Sequence, residues 1–320
     1  PSRSKAEQVR PRLCAVTVDL DEVYCYSAIH GLGSLPGAAD HAVYLKALPR
    51  LAEVFARLSV PATFFVVGKD LEHAHARRAL QDLHAHGHEI GNHSQDHFYD
   101  LTRRPRDEQR AQVQRGADSI ERAVGVRPVG FRSPGYTVTD ALLSVLQELD
   151  VGYDSSVFPC PGYYAAKVAA ISGYRLLGRT SHSIIDHPRV LSAPADPYRI
   201  GTPYTRRGSG LLELPIGVTH VLTGRLPFIG TSVVMAGAEG ARWLCRGMLG
   251  RPLINLELHG MDAADADEDG LTALRRSQPD LRKSAQEKLA TLEAVITQLG
   301  AAGYEFVTLA QAADRFAHAA

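Results

Sequence analysis

The chain has 320 residues, and 35 Lys+Arg against 35 Asp+Glu give a formal net charge of zero, which argues against a nucleic-acid binder or a polybasic membrane-surface protein. Apolar residues make up 45% and charged residues 22%, a globular balance that rules out wholesale disorder. No apolar run approaches the roughly 18 residues of a membrane span, and the length fits two domains of ~150 residues or one α/β barrel with insertions.

In chain order, the first ten residues (PSRSKAEQVR) are polar and lack the apolar core of a signal peptide, which points to a cytoplasmic location. Residues 13–18 (LCAVTV) and 62–67 (ATFFVV) read as buried strands. Between them Leu45, Leu48, Leu51, Val54, Phe55 and Leu58 recur every three or four residues and predict one helix face. A His/Ala-rich helix is predicted over 71–85, stopped by Gly87, with a short strand over 88–91. Residues 107–124 read as a charged helix, 128–131 as a strand, 140–149 as a helix and 152–153 as the start of a strand. Late in the chain, 252–258 (PLINLEL) reads as a strand, 284–299 as a helix and 304–307 as a strand. Thr308 with Gln311 then fits a capping box opening a last helix. Roughly seven β-then-α units predict a parallel sheet, closed as a barrel or open. Residues 160–250, rich in Gly, Pro and Ser, break that rhythm and are expected to form an irregular, loop-rich insertion with short strands.

Four widely spaced cysteines (Cys14, Cys25, Cys160, Cys245) form no C-x-x-C pair and read as ordinary buried thiols. Histidine is unusual: seven of the 14 fall between His73 and His97.

Polar residues stand immediately after four predicted strands: Asp19 and Asp21, then His93, Ser94 and His97, then Arg132, then His259. In a parallel α/β fold the C-terminal ends of strands share one face, so these segments converge on one cleft. If Ser94 starts a helical turn, His93 and His97 project from one side of it and suit two ligands on one metal ion. One carboxylate completes a three-ligand set that leaves a position for water. Asp19 and Asp21, separated by one residue, let one bind the metal while the other stays free as a base. Each feature has a plainer reading. An H-x-x-x-H pair arises by chance in a His-rich stretch, His84, His86 and His88 read as solvated surface, D-L-D is a common turn, and Arg132 alone fits a structural ion pair. Asp265, Asp267, Asp269 and Gly270 begin like a calcium-binding loop, but Arg276 stands where its twelfth-position Glu is needed, so a solvated loop is expected.

The motifs VTVDLDE, GHEIGNHSQDH, FRSPGY, GYDSSVF and LELHG follow the order of the polysaccharide deacetylase (NodB homology) family, carbohydrate esterase family 4, and the ending GYEFVTLAQAA resembles that family's last strand and helix. The resemblance implies a single NodB-like domain over 1–320, an α/β distorted (β/α)7 barrel with the loop-rich insertion at about 160–250, acting as a metal-dependent amidohydrolase. His93 and His97 match the family's metal-binding histidines. Leu20 separates the usually adjacent aspartates, and this D-x-D form resembles the peptidoglycan-deacetylase and allantoinase-like branch and the arabinose-lipid deformylases. Asp19 then matches the base and Asp21 the metal ligand. Arg132 matches the arginine that pairs with the base, His259 the general acid, and Asp154 the aspartate that orients it, with Phe158 where tryptophan is usual. Gly135 precedes Tyr136 where the family reads R-x-P-Y, so either backbone N–H is a candidate for the oxyanion. Glu257 replaces a usual leucine and is expected to alter the pocket floor.

The implied cofactor is one divalent metal, zinc first, then cobalt, nickel or iron. The implied substrate is an N-acetyl or N-formyl amino sugar, free, polymeric or lipid-linked. Alternatives are a cyclic-amide or ureide hydrolase of the allantoinase-like branch, and a sugar-binding pseudoenzyme. The apolar stretches 226–235 and 243–249 fit a lipid tail, a core segment or a subunit contact, and a homo-oligomer without nucleic acid is expected.

Overall fold

Continuous apolar runs in a parallel sheet are buried on both faces, and the first of them, LCAVTVD, is buried at every position. The computed structural model describes residues 12–33, 35, 37–176 and 182–317; the polar segment 1–10 and most of the GRTSHS stretch read above lie outside them. The strands are β1 (Leu13–Asp19), β2 (Ala62–Val66), β3 (Glu89–Asn92), β4 (Gly130–Phe131), β5 (Tyr153–Asp154), β6 (Tyr198–Ile200), β7 (Arg207–Glu213), β8 (Leu253–His259) and β9 (Glu305–Phe306). They form one curled sheet in the order β6-β7-β5-β4-β3-β2-β1-β8. β8 runs along one edge of β1 over residues 13–19, while β9 pairs with its first two residues and β2 with its last four. Every pairing among these strands is parallel except β6 with β7. The result is the expected distorted barrel, built as a half-barrel, with strands added at β6 and β7.

The helices are α1 (Val23–Ile29), α2 (Leu48–Leu58), α3 (Ala74–Ala85), α4 (Arg106–Val124), α5 (Asp140–Glu148), α6 (Pro161–Leu176), α7 (Gly230–Arg246), α8 (Ala285–Ala301) and α9 (Leu309–Ala317). Helix α2 buries Leu48, Leu51, Val54 and Phe55, the stripe its spacing predicts, and left-handed Ser59 (φ 55°) ends it. Ser284 and Glu287 cap α8 reciprocally. Thr308 and Gln311 do the same before α9, each side chain accepting the other's N–H, at 3.2 and 2.9 Å.

Among its described residues the stretch 160–250 holds two α-helices besides two strands, where loops with short strands were expected. Its helical period is masked by glycine: α7 contains Gly230, Gly237 and Gly240, and is kinked where Gly237 takes φ +67°. Of the readings open for the apolar stretches 226–235 and 243–249, the core segment applies to Val233, Val234, Leu244 and Cys245, which pack in the same cluster as Leu292 and Val295 of α8. The acidic loop is likewise not simply solvated. Asp269 pairs with Arg50 at 2.7 Å, and Asp265 accepts the Ala285 N–H at 2.9 Å at the start of α8. His84 and His86 are exposed as expected, whereas His88 is buried and its Nδ1 accepts the Ala62 N–H at 3.1 Å. All four cysteines are buried and free. No helix among the described residues is long and apolar enough to cross a membrane.

Candidate active site

The parallel register sets the site before any side chain is considered. Asp19 stands beside His259 across β1 and β8, and Asn92, Phe131, Asp154 and Glu213 stand in one row across β3, β4, β5 and β7. The residues that follow these strand ends therefore face one cleft.

Asp21, His93 and His97 meet there. Asp21 Oδ1 lies 3.3 Å from His93 Nε2 and 3.1 Å from His97 Nε2, all three residues being buried. No helical turn presents the two histidines; the loop instead turns through left-handed Ser94 (φ 68°) and His97 (φ 52°). Asn92 and Ser94 hold that loop, with Asn92 Oδ1 accepting the Ser94 N–H at 3.0 Å and Ser94 Oγ accepting the His97 N–H at 3.2 Å. Gly116 of α4 lets it pack closely, since a Cβ there would fall 2.4 Å from Asn92 Oδ1 and 2.9 Å from the Ser94 carbonyl carbon.

His93 Nδ1 lies 2.7 Å from the Arg132 carbonyl oxygen, so Nδ1–H donates and the neutral ring turns its Nε2 lone pair toward Asp21. Among the described residues Asp21 Oδ1 and both nitrogens of His97 make no hydrogen bond. Lone pairs facing a carboxylate oxygen in a buried site call for a proton or a cation between them, and one carboxylate with two imidazoles is a donor set that zinc and its neighbours accept. Burial raises the Asp21 carboxyl, yet the two imidazoles outweigh it and hold the group well below the usual range.

Asp19 is held apart from this cluster. Arg132, fully buried, donates from Nη1 to Asp19 Oδ1 at 2.7 Å and to Thr17 Oγ1 at 3.0 Å. It also donates from Nε to the Ser155 carbonyl at 2.8 Å and from Nη2 to Ser155 Oγ at 2.9 Å, its guanidinium lying over the Phe65 ring. Asp19 Oδ2 makes no hydrogen bond among the described residues and lies 3.8 Å from His93 Nε2.

His259 faces Asp21, Tyr136 and Glu257, and the site departs here from the sequence reading. Its Nε2 is 3.2 Å from the Tyr136 hydroxyl and 4.0 Å from Asp21 Oδ2; its Nδ1 is 3.1 Å from Glu257 Oε1. Against burial, Glu257 and the carboxylates of Asp21, Asp19 and Asp262 raise this imidazole to about 9. Burial also pushes the Glu257 carboxyl up, and we take the imidazole as the proton's place because Asp21 and Asp19 face it too.

Asp154 is not among the partners of His259. It accepts from Ser156 Oγ at 2.8 Å, and Ser156 Oγ in turn accepts the Ser133 N–H at 2.8 Å, so Asp154 steadies the loop that carries Tyr136. Across the β5–β7 pairing it meets Glu213, which burial and the Asp154 charge push well above the usual carboxylate range. The turn at Gly135 (φ 63°) and Tyr136 (φ 58°) also corrects the oxyanion reading. The Tyr136 N–H already donates to the Ser133 carbonyl at 3.0 Å, and only its hydroxyl reaches His259.

A cavity of about 340 Å³ opens over these groups, lined by Asp19, Asp21, Tyr99, Tyr136, Lys167 and His259 among others. A larger one of about 700 Å³ between α2 and α3, lined by residues such as Leu48, Phe55 and His86, lies away from this chemistry. Tyr99, Tyr163 and Lys167 carried no motif, and only the fold brings them to the cleft. Glu257 did carry a signal: Asn255, Glu257 and His259 alternate along a strand whose other positions are apolar, the pattern of one inward polar face.

Residues 41–153 match the family model described as polysaccharide deacetylase. No curated protein matches the chain. Among solved structures, the chain is similar to a protein from Mycobacterium smegmatis provisionally assigned as a polysaccharide deacetylase, with a TM-score of 0.58 and 20% identity over 95% of this chain and 90% of that one. It is also similar to a carbohydrate esterase family 4 pseudoenzyme from Bacillus anthracis, with a TM-score of 0.51 and 14% identity over 95% of this chain and 66% of that one. A mutant of that pseudoenzyme described as having restored enzymatic activity aligns with a TM-score of 0.51 and 15% identity over 95% and 68%. At these identities the likeness is one of fold.

Proposed function

From the premise that residues 41–153 belong to the polysaccharide deacetylase (NodB homology) family, we propose that the chain is a metal-dependent hydrolase removing an acetyl or formyl group from the nitrogen of an amino sugar, free, polymeric or lipid-linked. One observation carries this reading: Asp21, His93 and His97 converge, while Asp19 is tied to Arg132 through one oxygen and keeps the other free. Asp21, His93 and His97 would hold one divalent cation, zinc first, then cobalt, nickel or iron. When bound, such an ion polarises an amide carbonyl and lowers the pKa of a nearby water.

Asp19 serves as general base, taking the water's proton at Oδ2, while Arg132 holds and aims the carboxylate through Oδ1. His259 holds a proton at Nε2 for the departing amine, and the Tyr136 hydroxyl keeps that nitrogen facing the cavity. With the Tyr136 N–H committed to Ser133, the Gly135 N–H is the one of the two candidate backbone donors left for the developing oxyanion. Tyr26, Tyr99 and Tyr163 line the cavity and exclude water around the sugar.

The test is zinc content per chain, followed by acetate and primary-amine release from N-acetylglucosamine oligomers and formate release from an N-formyl amino sugar. The reading predicts one zinc per chain and release of the amine. Zinc-loaded protein that opens a cyclic ureide instead supports the allantoinase-like alternative; protein that binds sugar but neither zinc nor water-derived products supports a binding module.

A further inference from the structure

The hydrolase reading makes His259 the proton donor but leaves open which group fixes its tautomer. Glu257 and His259, two apart on β8, project to the same side of the strand. Glu257 is fully buried, its Oε1 lies 3.1 Å from His259 Nδ1 as an ion-pair contact, and neither of its oxygens makes a hydrogen bond among the described residues, so the carboxylate faces the ring as an unsatisfied acceptor. A second group competes for the ring. The Asp262 backbone N–H points at the His259 side chain in a capping box, whose other half is the His259 N–H donating to Asp262 Oδ2 at 2.8 Å. Since Nε2 faces Tyr136 and Asp21, both Glu257 and the Asp262 N–H address Nδ1.

The two contacts demand opposite protonation. Glu257 accepts a proton carried on Nδ1, whereas the Asp262 N–H needs a lone pair there and puts the neutral ring's proton on Nε2. A ring that gives up its Nε2 proton and stays neutral must keep Nδ1–H. We propose that Glu257 is the positioning residue of His259, holding Nδ1–H against the Asp262 amide, and that Asp154 has no part in this. The proposal rests on the hydrolase reading for its catalytic meaning, and on geometry alone for the tautomer.

Asp19, Glu257 and His259 also bring donor atoms within 4.8 Å of one another, the spacing of a second cation site. The Arg132 guanidinium, 2.7 Å from Asp19 Oδ1, already supplies the positive charge on that side, so one cation per chain is expected.

The experiment is long-range proton–nitrogen NMR on zinc-loaded protein labelled at histidine nitrogen, the His259 signals being assigned by their loss in His259→Asn. Wild type and Asp154→Asn should show His259 protonated at Nδ1 in the neutral ring, while Glu257→Gln should move the neutral ring to Nε2–H. On an N-acetyl amine, Glu257→Gln should lower kcat by about 10²–10⁴-fold, the cost of a mis-set tautomer, with KM little changed, and Glu257→Asp should recover part of the loss. An Nε2–H neutral ring in the wild type, retention of Nδ1–H in Glu257→Gln, or its loss in Asp154→Asn would each overturn the assignment. So would two zinc ions per chain of which Glu257→Gln removes one. Nδ1–H present in wild type, lost in Glu257→Gln, in a protein that hydrolyses no amide would leave this assignment standing and defeat the hydrolase reading instead.

Discussion

The two sides of the cleft were assembled differently. The cation side, built on the ends of β1, β3 and β4, is made of two pairs each close in sequence, Asp19 with Asp21 and His93 with His97, which the parallel strands bring together with Arg132. The acid side, built on β8, joins His259 to Tyr136 and Asp21, partners that depend on strand register and on the loops after β4 and β1, with Glu257 of the same strand as its one neighbour in sequence. Local spacing carries the first kind of arrangement and says little about the second.

The sharpest way to break this comparison is at the cation side. His93→Ala or Asp21→Asn should abolish both zinc binding and turnover, on the order of 10³-fold or more given the several kcal/mol a cation contributes to the barrier. Asp19→Asn should keep the metal and lose about 10²–10⁴-fold in kcat as a missing general base. Metal content measured beside rate decides this, and an Asp19→Asn protein devoid of zinc, with Asp21→Asn still loaded, reverses the two roles. On the acid side, His259→Ala should cost about 10²–10⁴-fold on an amide with a poor amine leaving group and far less on an activated aryl ester. Equal losses on both substrates remove His259 from the acid role.

Smaller effects sharpen the comparison through stability. Arg132→Met leaves Asp19 buried beside no cation and should destabilise the fold by about 3–5 kcal/mol, read from denaturant midpoints. Gly116→Ala pushes a methyl group into the loop that carries His93 and should cost about 1–3 kcal/mol, with weaker zinc affinity as its particular sign. Ser156→Ala cuts the link from Asp154 to Ser133 and should cost about 1 kcal/mol. Because it touches only the Tyr136 loop, His259 should keep its tautomer in that variant; a changed tautomer would draw Asp154 back into the acid side.

What the sequence disclosed follows the same division. The strands beside β1 were legible because fully buried parallel strands read as apolar runs, and the polar residues that interrupt them mark the strand ends. The α2 stripe and the caps at Ser284 and Thr308 were legible for equally local reasons. Helix α7 was not, because three glycines and a kink at Gly237 hide the period its buried valines keep. Asp154 was misplaced because a position along the chain does not say which neighbouring strand's side chain it meets, and register gives it Glu213. Glu257 was visible as a residue but weighed as shape, although a carboxylate two positions before a functional histidine on one strand shares its face.

The account stands on a single coordination sphere, and anomalous diffraction at the zinc edge from zinc-soaked crystals tests it most directly. It predicts one strong peak per chain, with Asp21, His93 and His97 at about 2.0–2.2 Å and Asp19 still bonded to Arg132. A peak that Asp19 ligates in place of Asp21, or no peak between the two histidines, contradicts it.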